Sequence, residues 1–250
     1  MIIQTEGVVL RSIDFRETSR IATFFTKGHG KVKGVMKGIR KDPKKFGSNV
    51  DRFSINEIVY YQYSKSDLHL ISQCDLTQYF FQIRKDYTRN LAANYALELV
   101  DAVMPAEQVN HKVYQILLNY LISLEGIADI DKLVFVFQIK ILHLSGFSPH
   151  IDSCVRCQKK IHGSVRFSMS QGGLVCPQCP TTETGFTLIS KGAVSSILHI
   201  EQNDWTQALR LGLTKSVRQE LKYVLNNFLV YHLERRLKTS KYLYASQVGT

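Results

Sequence analysis

The chain has 250 residues, 44% of them apolar and 21% charged, with 5 prolines and 15 glycines. That length and composition suit two domains, each with its own core, and leave too little proline and glycine for a long disordered linker. The formal net charge of +11 favours a polyanionic partner, and with no run of 18 apolar residues no membrane span is expected.

Residues 1–80 read as five short antiparallel strands. The first contains Ile3, Val8 and Leu10, and the second is TSRIATFFTK at 18–27. Gly28–His29–Gly30 turns the chain into a third strand from Lys31 to Met36, which begins with the polar–apolar alternation of a half-buried strand. Residues 38–52 have no periodicity and contain Pro43, Gly38 and Gly47, the marks of a mobile loop. FSINEIVYYQY at 53–63 is a fourth strand and LHLISQCDL at 68–76 a fifth, with Lys65–Ser66–Asp67 turning between them. Five strands in about 80 residues suffice for a small closed barrel of the OB type.

The pattern then becomes helical, with a boundary near residues 80–86. Leu91, Tyr95, Leu99 and Ala102 share one face of a helix at 88–103 that Pro105 ends, and Val113, Leu117 and Leu121 repeat the spacing at 109–124. The helix at 131–145 has few polar positions and is expected at the centre of a bundle, closed by Gly146 and Pro149. Helix resumes from Ser190, and the longest run, about 215–236, carries the stripe Val217, Leu221, Val224, Phe228 and Tyr231. Its start can be capped by Ser216 with Gln219, or by Thr214. The expected fold class is therefore mixed: an all-β OB-fold barrel over residues 1–80 as a nucleic-acid-binding domain, then an all-α domain over 81–250. A zinc-ribbon-like insertion is expected in the second domain at about 150–185.

Within that insertion the spacing is Cys154-x2-Cys157-x18-Cys176-x2-Cys179. Each CxxC pair turns two soft thiolates to one side, and two such pairs complete a tetrahedron, so one structural Zn²⁺ is expected. Four protein ligands leave no position for a catalytic water. Two CxxC pairs also suit a reducing, cytoplasmic setting, and MIIQTEGVVLRS at the N-terminus lacks the basic and apolar regions of a signal peptide. Cys74, alone in a strand, reads as a small buried apolar residue.

The charge is concentrated at the ends. Residues 1–45 hold 11 Lys and Arg against 4 acids, residues 46–204 hold 13 against 15, and residues 205–250 hold 8 against 2. Lys31 and Lys33 alternate along one strand face, and Lys37, Arg40, Lys41, Lys44 and Lys45 follow at its end and in the loop, with Arg16 and Arg20 flanking the first turn. Such a cluster fits a phosphate backbone. Phe46, beside two lysines, can either stack on an unpaired base or pack in the barrel. In the insertion, Arg156, Lys159, Lys160 and Arg166 offer a secondary phosphate contact. Phosphate-loop, dinucleotide, zinc-protease and nucleophile-elbow motifs are absent, and acids are sparse near the cations, so no catalytic residue is expected and the chain reads as a non-enzyme.

Several blocks resemble the bacterial DNA repair protein RecO family of recombination mediators. They are Gly7 with the following V-V-L, Glu17–Arg20, Gly28–Gly30, Lys37–Lys41 with Phe46, LHLSGFSPHIDSCVRC at 142–157, Phe167 with Gly172–Gly173 and Cys176, and LERRLKTSKYL at 233–243. The resemblance implies binding of single- and double-stranded DNA, annealing of complementary strands, and partnership with RecR. It also implies, with RecF in some pathways, loading of RecA onto DNA coated by single-stranded-DNA-binding protein, whose acidic C-terminal tail many members bind. A cytoplasmic, nucleoid-associated location accompanies that role. The family's DNA-contact motif residues fall on Arg16, Arg20, Lys37, Arg40 and Lys41.

A general OB-fold module for RNA or single-stranded DNA is the alternative, because fold does not choose the polymer. The C-terminal cations Arg218, Lys222, Arg235, Arg236 and Lys238 either extend a DNA track or rim a pocket for the acidic tail; Arg235 and Arg236 are the candidates for the pocket.

Overall fold

The computed structural model describes residues 1–42, 46, 50–161, 165–180, 186–234 and 236–245. They form two compact units, Met1–Gly126 and Ile127–Thr250.

In the first unit, β1 (Ile2–Phe15), β2 (Ser19–Thr26), β3 (Gly30–Met36), β4 (Ile55–Tyr61) and β5 (Leu68–Gln78) close into a barrel in the order β1-β2-β3-β5-β4. This is the OB arrangement that the strand count suggested. The long β1 serves two neighbours: Ile2–Val8 pairs with β4, and Gly7–Phe15 pairs with β2. A register shift between Val9 and Arg11 marks where one pairing hands over to the other. It also breaks the alternation of faces, so that Val8, Val9 and Leu10 are all buried.

The strand pattern predicts antiparallel pairing throughout, but one pair departs from it. β3 and β5 run parallel over Lys33↔Leu68, Gly34↔His69 and Val35↔Leu70. The reason is geometric. Strand direction alternates around the ring, and five strands are an odd number, so one seam must be parallel. At that seam a Cβ on Gly34 would lie 2.5 Å from Ile71 Cγ1, so the glycine lets β5 approach.

The segment expected as a mobile loop also fills the barrel. Ile39, Phe46 and Val50 join Val9, Phe24, Val32, Met36, Ile58, Tyr60, Ile71 and Cys74 in one buried cluster. Ile39, Phe46 and Val50 stand seven and four positions apart, a spacing that follows neither the strand nor a continuous helical period.

Three helices follow in this unit: α1 (Phe81–Lys85), α2 (Tyr87–Val103) and α3 (His111–Gly126). Asp86 caps α2 by accepting from Arg89 N at 2.8 Å. Lys31 Nζ donates to Asp101 O on α2 at 2.9 Å, and Tyr114 on α3 donates to Glu6 Oε1 on β1 at 3.0 Å. Burial, reinforced by Glu6, pushes the Tyr114 phenol far above its usual range, so it stays a donor.

The second unit is built on α4 (Ile130–Leu144), which buries every residue from Leu133 to Leu142. One of these is charged. Lys140 Nζ donates to Glu201 O at 3.0 Å and to Asn203 O, carbonyls at the C-terminal end of α5 (Lys191–Gln202). The helix end supplies partial negative charge, while burial holds the ammonium below its ordinary pKa. A three-stranded sheet, β7-β6-β8, comes from β6 (Val165–Ser168), β7 (Gly173–Val175) and β8 (Phe186–Ile189). α6 (Trp205–Arg210), α7 (Lys215–His232) and α8 (Ser240–Ala245) complete the unit.

Thr214 caps α7 by accepting from Val217 N, leaving Ser216 to pair with Glu220. The helix ends at His232, short of the expected 236, and Tyr231 is 52% exposed, outside the stripe. The buried positions Leu221, Leu225 and Phe228 lead at helical spacing to His232, whose ring centroid lies 4.2 Å from that of Phe228. Among the described residues no helix is long and apolar enough to cross a membrane.

Gly30 gives a test of how the barrel meets the chain before α3. Its φ is +63°, and a Cβ there would lie 2.5 Å from Gln108 O and 2.6 Å from Gln108 N. Gly30→Ala should lower the unfolding free energy by at least about 2 kcal/mol, from strain plus a backbone clash. Gly28→Ala, where the nearest atom is Thr5 Oγ1 at 3.9 Å, should stay within about 0.5 kcal/mol of wild type in the same urea titration.

Candidate nucleic-acid interface and metal centre

Alternating strand direction puts the end of β1, the start of β2, the end of β3, the start of β4 and the end of β5 at one end of the barrel. Arg16 and Arg20 belong to the β1–β2 turn at this end, and Lys37, Arg40 and Lys41 follow β3 there. The two segments are tied together. Arg40 N donates to Thr18 O at 3.0 Å, and its Nη1 donates to Arg16 O at 3.3 Å and Glu17 O at 3.1 Å.

Asp14 is the organising acid. It accepts from Arg20 Nε at 3.1 Å and lies 3.5 Å from Arg40 Nε. One carboxylate between two guanidiniums orients both and leaves the cluster positive. The hairpin register Asp14↔Arg20 supplies one partner, and Arg40 arrives only through the fold. Lys33, Lys37 and Lys41 are exposed, as is Arg16, which has φ +54° and its Cζ 5.1 Å from the Phe15 ring centroid.

Two expected contact residues are engaged elsewhere. Lys31 is not presented beside Lys33: its side chain is 16% exposed and lies 3.3 Å from Oδ1 of Asp101, whose Oδ2 pairs with Arg11. Phe46 is 2% exposed in the barrel core, so its ring packs and does not meet a base. An aromatic surrounded by polar residues carries no period that would distinguish these two fates. Lys44, Lys45 and Arg235 lie outside the described residues. Arg236 and Lys238 are exposed. Arg218, read as a surface cation, instead holds Asp129 by two bonds of 2.8 and 2.6 Å. The Arg218 hydrogen bonds hold the Asp129 carboxyl below the usual range against the effect of burial.

In the second unit the four Sγ atoms of Cys154, Cys157, Cys176 and Cys179 all lie within 4.8 Å of one another. Cys154–Cys179 is 3.9 Å and Cys157–Cys176 is 3.7 Å. A tetrahedral site with metal–sulfur bonds of about 2.3 Å has sulfur–sulfur edges of about 3.8 Å. The separations fit that geometry and are far too long for disulfides. The group can therefore hold a metal ion.

The surrounding backbone favours thiolate. Burial opposes ionisation of Cys154, yet backbone donors at Cys157, Cys176 and Arg156 bring its pKa down to about 6. The hydrogen bond with Cys176, reinforced by burial, pushes the Cys179 thiol up to about 12. Gly173 is required for the first knuckle, since a Cβ there would sit 2.3 Å from His150 O. Arg166 Nη2 donates to Cys176 O at 2.8 Å, and Arg156 donates to Gln171 Oε1 at 2.9 Å and to Pro180 O. Both arginines, read as phosphate contacts, brace the knuckles.

These features define an OB-fold protein with a basic barrel end and a second, largely helical unit that carries a four-thiol centre. Comparison with known proteins goes further. Residues 1–80 match the family model described as recombination protein O N terminal, and residues 84–241 match recombination protein O C terminal. The chain belongs to the recombination protein O family. It is 32% identical over 247 residues to a DNA repair protein RecO from Desulfatibacillum aliphaticivorans, covering 96% of both chains. It is 31% identical over 247 residues to that of Symbiobacterium thermophilum, covering 97% of this chain and 96% of the relative. With the Moorella thermoacetica protein of the same name the identity is 28% over 246 residues, covering 97% and 90%.

The two kinds of cysteine should separate chemically. After treatment with a strong chelator, four thiols should react with a thiol-specific dye in native buffer. Cys74, fully buried in the barrel, should react only once denaturant is added, giving a fifth equivalent. Five fast thiols in native buffer would contradict the burial of Cys74 in the barrel core.

Proposed function

We propose that this chain is a non-enzymatic recombination mediator, acting in the cytoplasm at the nucleoid. On this reading it binds single- and double-stranded DNA and anneals complementary strands. With RecR, and with RecF where that pathway operates, it helps load RecA onto single-stranded DNA already covered by its coating protein. The observation that carries the reading is the convergence of Arg16, Arg20, Lys37, Arg40 and Lys41 at one barrel end in a chain of this family.

Cations held on short turns, with backbone ties between them, suit phosphates. Such contacts position a nucleic acid without reading its sequence. Lys33, Lys37 and Lys41 are exposed and serve as the mobile members, with Lys44 and Lys45 as further candidates. Arg20 and Arg40, oriented by Asp14, serve as the fixed ones. Residues 1–80 act as the DNA-binding domain, and the helical region from 81 supports it and meets partners. In the second unit one structural Zn²⁺ suits the four thiolates by their softness and spacing. Its contribution is to folding of the knuckles, and metal analysis should find about one zinc per chain. The exposed Arg236, with Arg235, is the candidate for receiving the acidic C-terminal tail of the coating protein.

The direct test of function is annealing of complementary oligonucleotides coated by single-stranded-DNA-binding protein. The chain should accelerate it, and an unchanged rate would remove the mediator reading. Lys37→Ala/Lys41→Ala tests the interface without disturbing the ties made by Arg40. Affinity should fall similarly for unrelated DNA sequences. The log–log salt dependence should become shallower by roughly one unit for each phosphate that the variant no longer neutralises. An unchanged slope would move the interface away from this barrel end.

A further inference from the structure

Phe46, the aromatic beside the lysines, is buried and offers no stacking surface. The fold supplies others from a different segment. Directly after β5 stand Tyr79 and Phe81, 46% and 50% exposed. Each ring lies against a cation from α1: Arg84 Cζ is 4.1 Å from the Tyr79 centroid and Lys85 Nζ is 4.2 Å from the Phe81 centroid.

The support under these rings is firm. Ile83 is fully buried, and the carboxylate of Glu125 on α3 accepts from Ile83 N at 3.1 Å and Gln82 N at 3.3 Å at the start of α1. Arg84 Nη2 donates to Arg52 O at 2.6 Å, tying α1 to the chain that enters β4. Among the described residues none of Arg52, Arg84 and Lys85 is ion-paired with a carboxylate. The acids nearby are engaged: Asp86 caps α2, and Glu125 accepts from the backbone at the start of α1.

We propose that Tyr79 and Phe81, flanked by Arg84 and Lys85, form a stacking platform for the unpaired bases of single-stranded DNA. It follows β5, which runs toward the same end of the barrel as β3. The inference rests on the DNA-binding function proposed for this chain and assigns to it a base-contacting element. Exposed rings with cations in contact suit a polyanion whose bases are free to stack. A duplex keeps its bases stacked on one another, so the platform distinguishes single strands from double strands, which the cations alone do not.

Tyr79→Leu/Phe81→Leu tests this, because leucine keeps apolar bulk and removes the rings. Binding to oligo(dT) should weaken at least about tenfold. Binding to a blunt duplex of equal length should change less than about twofold, and the salt slope on oligo(dT) should be unaltered because every phosphate-binding cation is retained. Unchanged oligo(dT) affinity, or equal weakening on both DNAs, would overturn the platform while leaving the DNA-binding function intact. A wild-type chain that bound neither DNA would overturn both. If circular dichroism shows the double variant unfolded, Phe81→Trp decides: its added fluorescence should be quenched by oligo(dT) and not by duplex. Absence of that difference would refute the proposal.

Discussion

A closed ring of five strands must contain one parallel seam, and here it lies between β3 and β5. At this seam β5 presses on β3 closely enough that a side chain on Gly34 would meet Ile71. β5 therefore starts beside β3, runs in the same direction, and continues past its end along β4. The two strands point their succeeding segments toward one end of the barrel: the Lys37–Lys41 turn after β3, and Tyr79 with α1 after β5. The antiparallel β1–β2 hairpin brings Arg16 and Arg20 to that end as well. Surface chemistry drawn from residues 16 to 85 is gathered by a constraint on strand direction.

Two aspartates then divide the cations of the first unit. Asp101 on α2 takes Arg11 and Lys31, charges on the side of the barrel that α2 covers. Asp14 takes Arg20 and Arg40 beside the β1–β2 turn. The Asp14 pairs are exposed and stabilise by at most about 1 kcal/mol. Their value is therefore orientation: Asp14 holds two guanidiniums in place, and the exposed lysines around them remain available to phosphate.

The second unit solves a different problem. Among the described residues its knuckle region has a core cluster of Cys154, Val175 and Cys176, with Val155, Cys157, Ile161, Cys179 and Phe186 packed against it. Sulfur atoms make up much of that small interior. A segment so poor in apolar bulk has little to gain from burial, and a metal ion held by the four thiols would supply folding free energy in its place. The bracing by Arg156 and Arg166 has the same origin, because backbone carbonyls of the knuckles need donors that no extensive sheet supplies.

Patterns carried by neighbouring residues were legible in the sequence. Alternation and composition determined the five strands, helical spacing determined α2, α3, α4 and most of α7, and paired CxxC spacing determined the four-thiol centre. The concentration of cations before residue 45 was equally plain, since charge is counted without a fold. Tertiary structure alone decided which of those charges remain available. Lys31 and Lys33 are two residues apart on one strand, yet Asp101, 70 positions away from Lys31, captures the first and leaves the second exposed. It likewise decided that Phe46 fills the barrel while Tyr79 and Phe81 face solvent. A ring beside lysines carries no local signal of burial, because burial is set by which distant strands close over it.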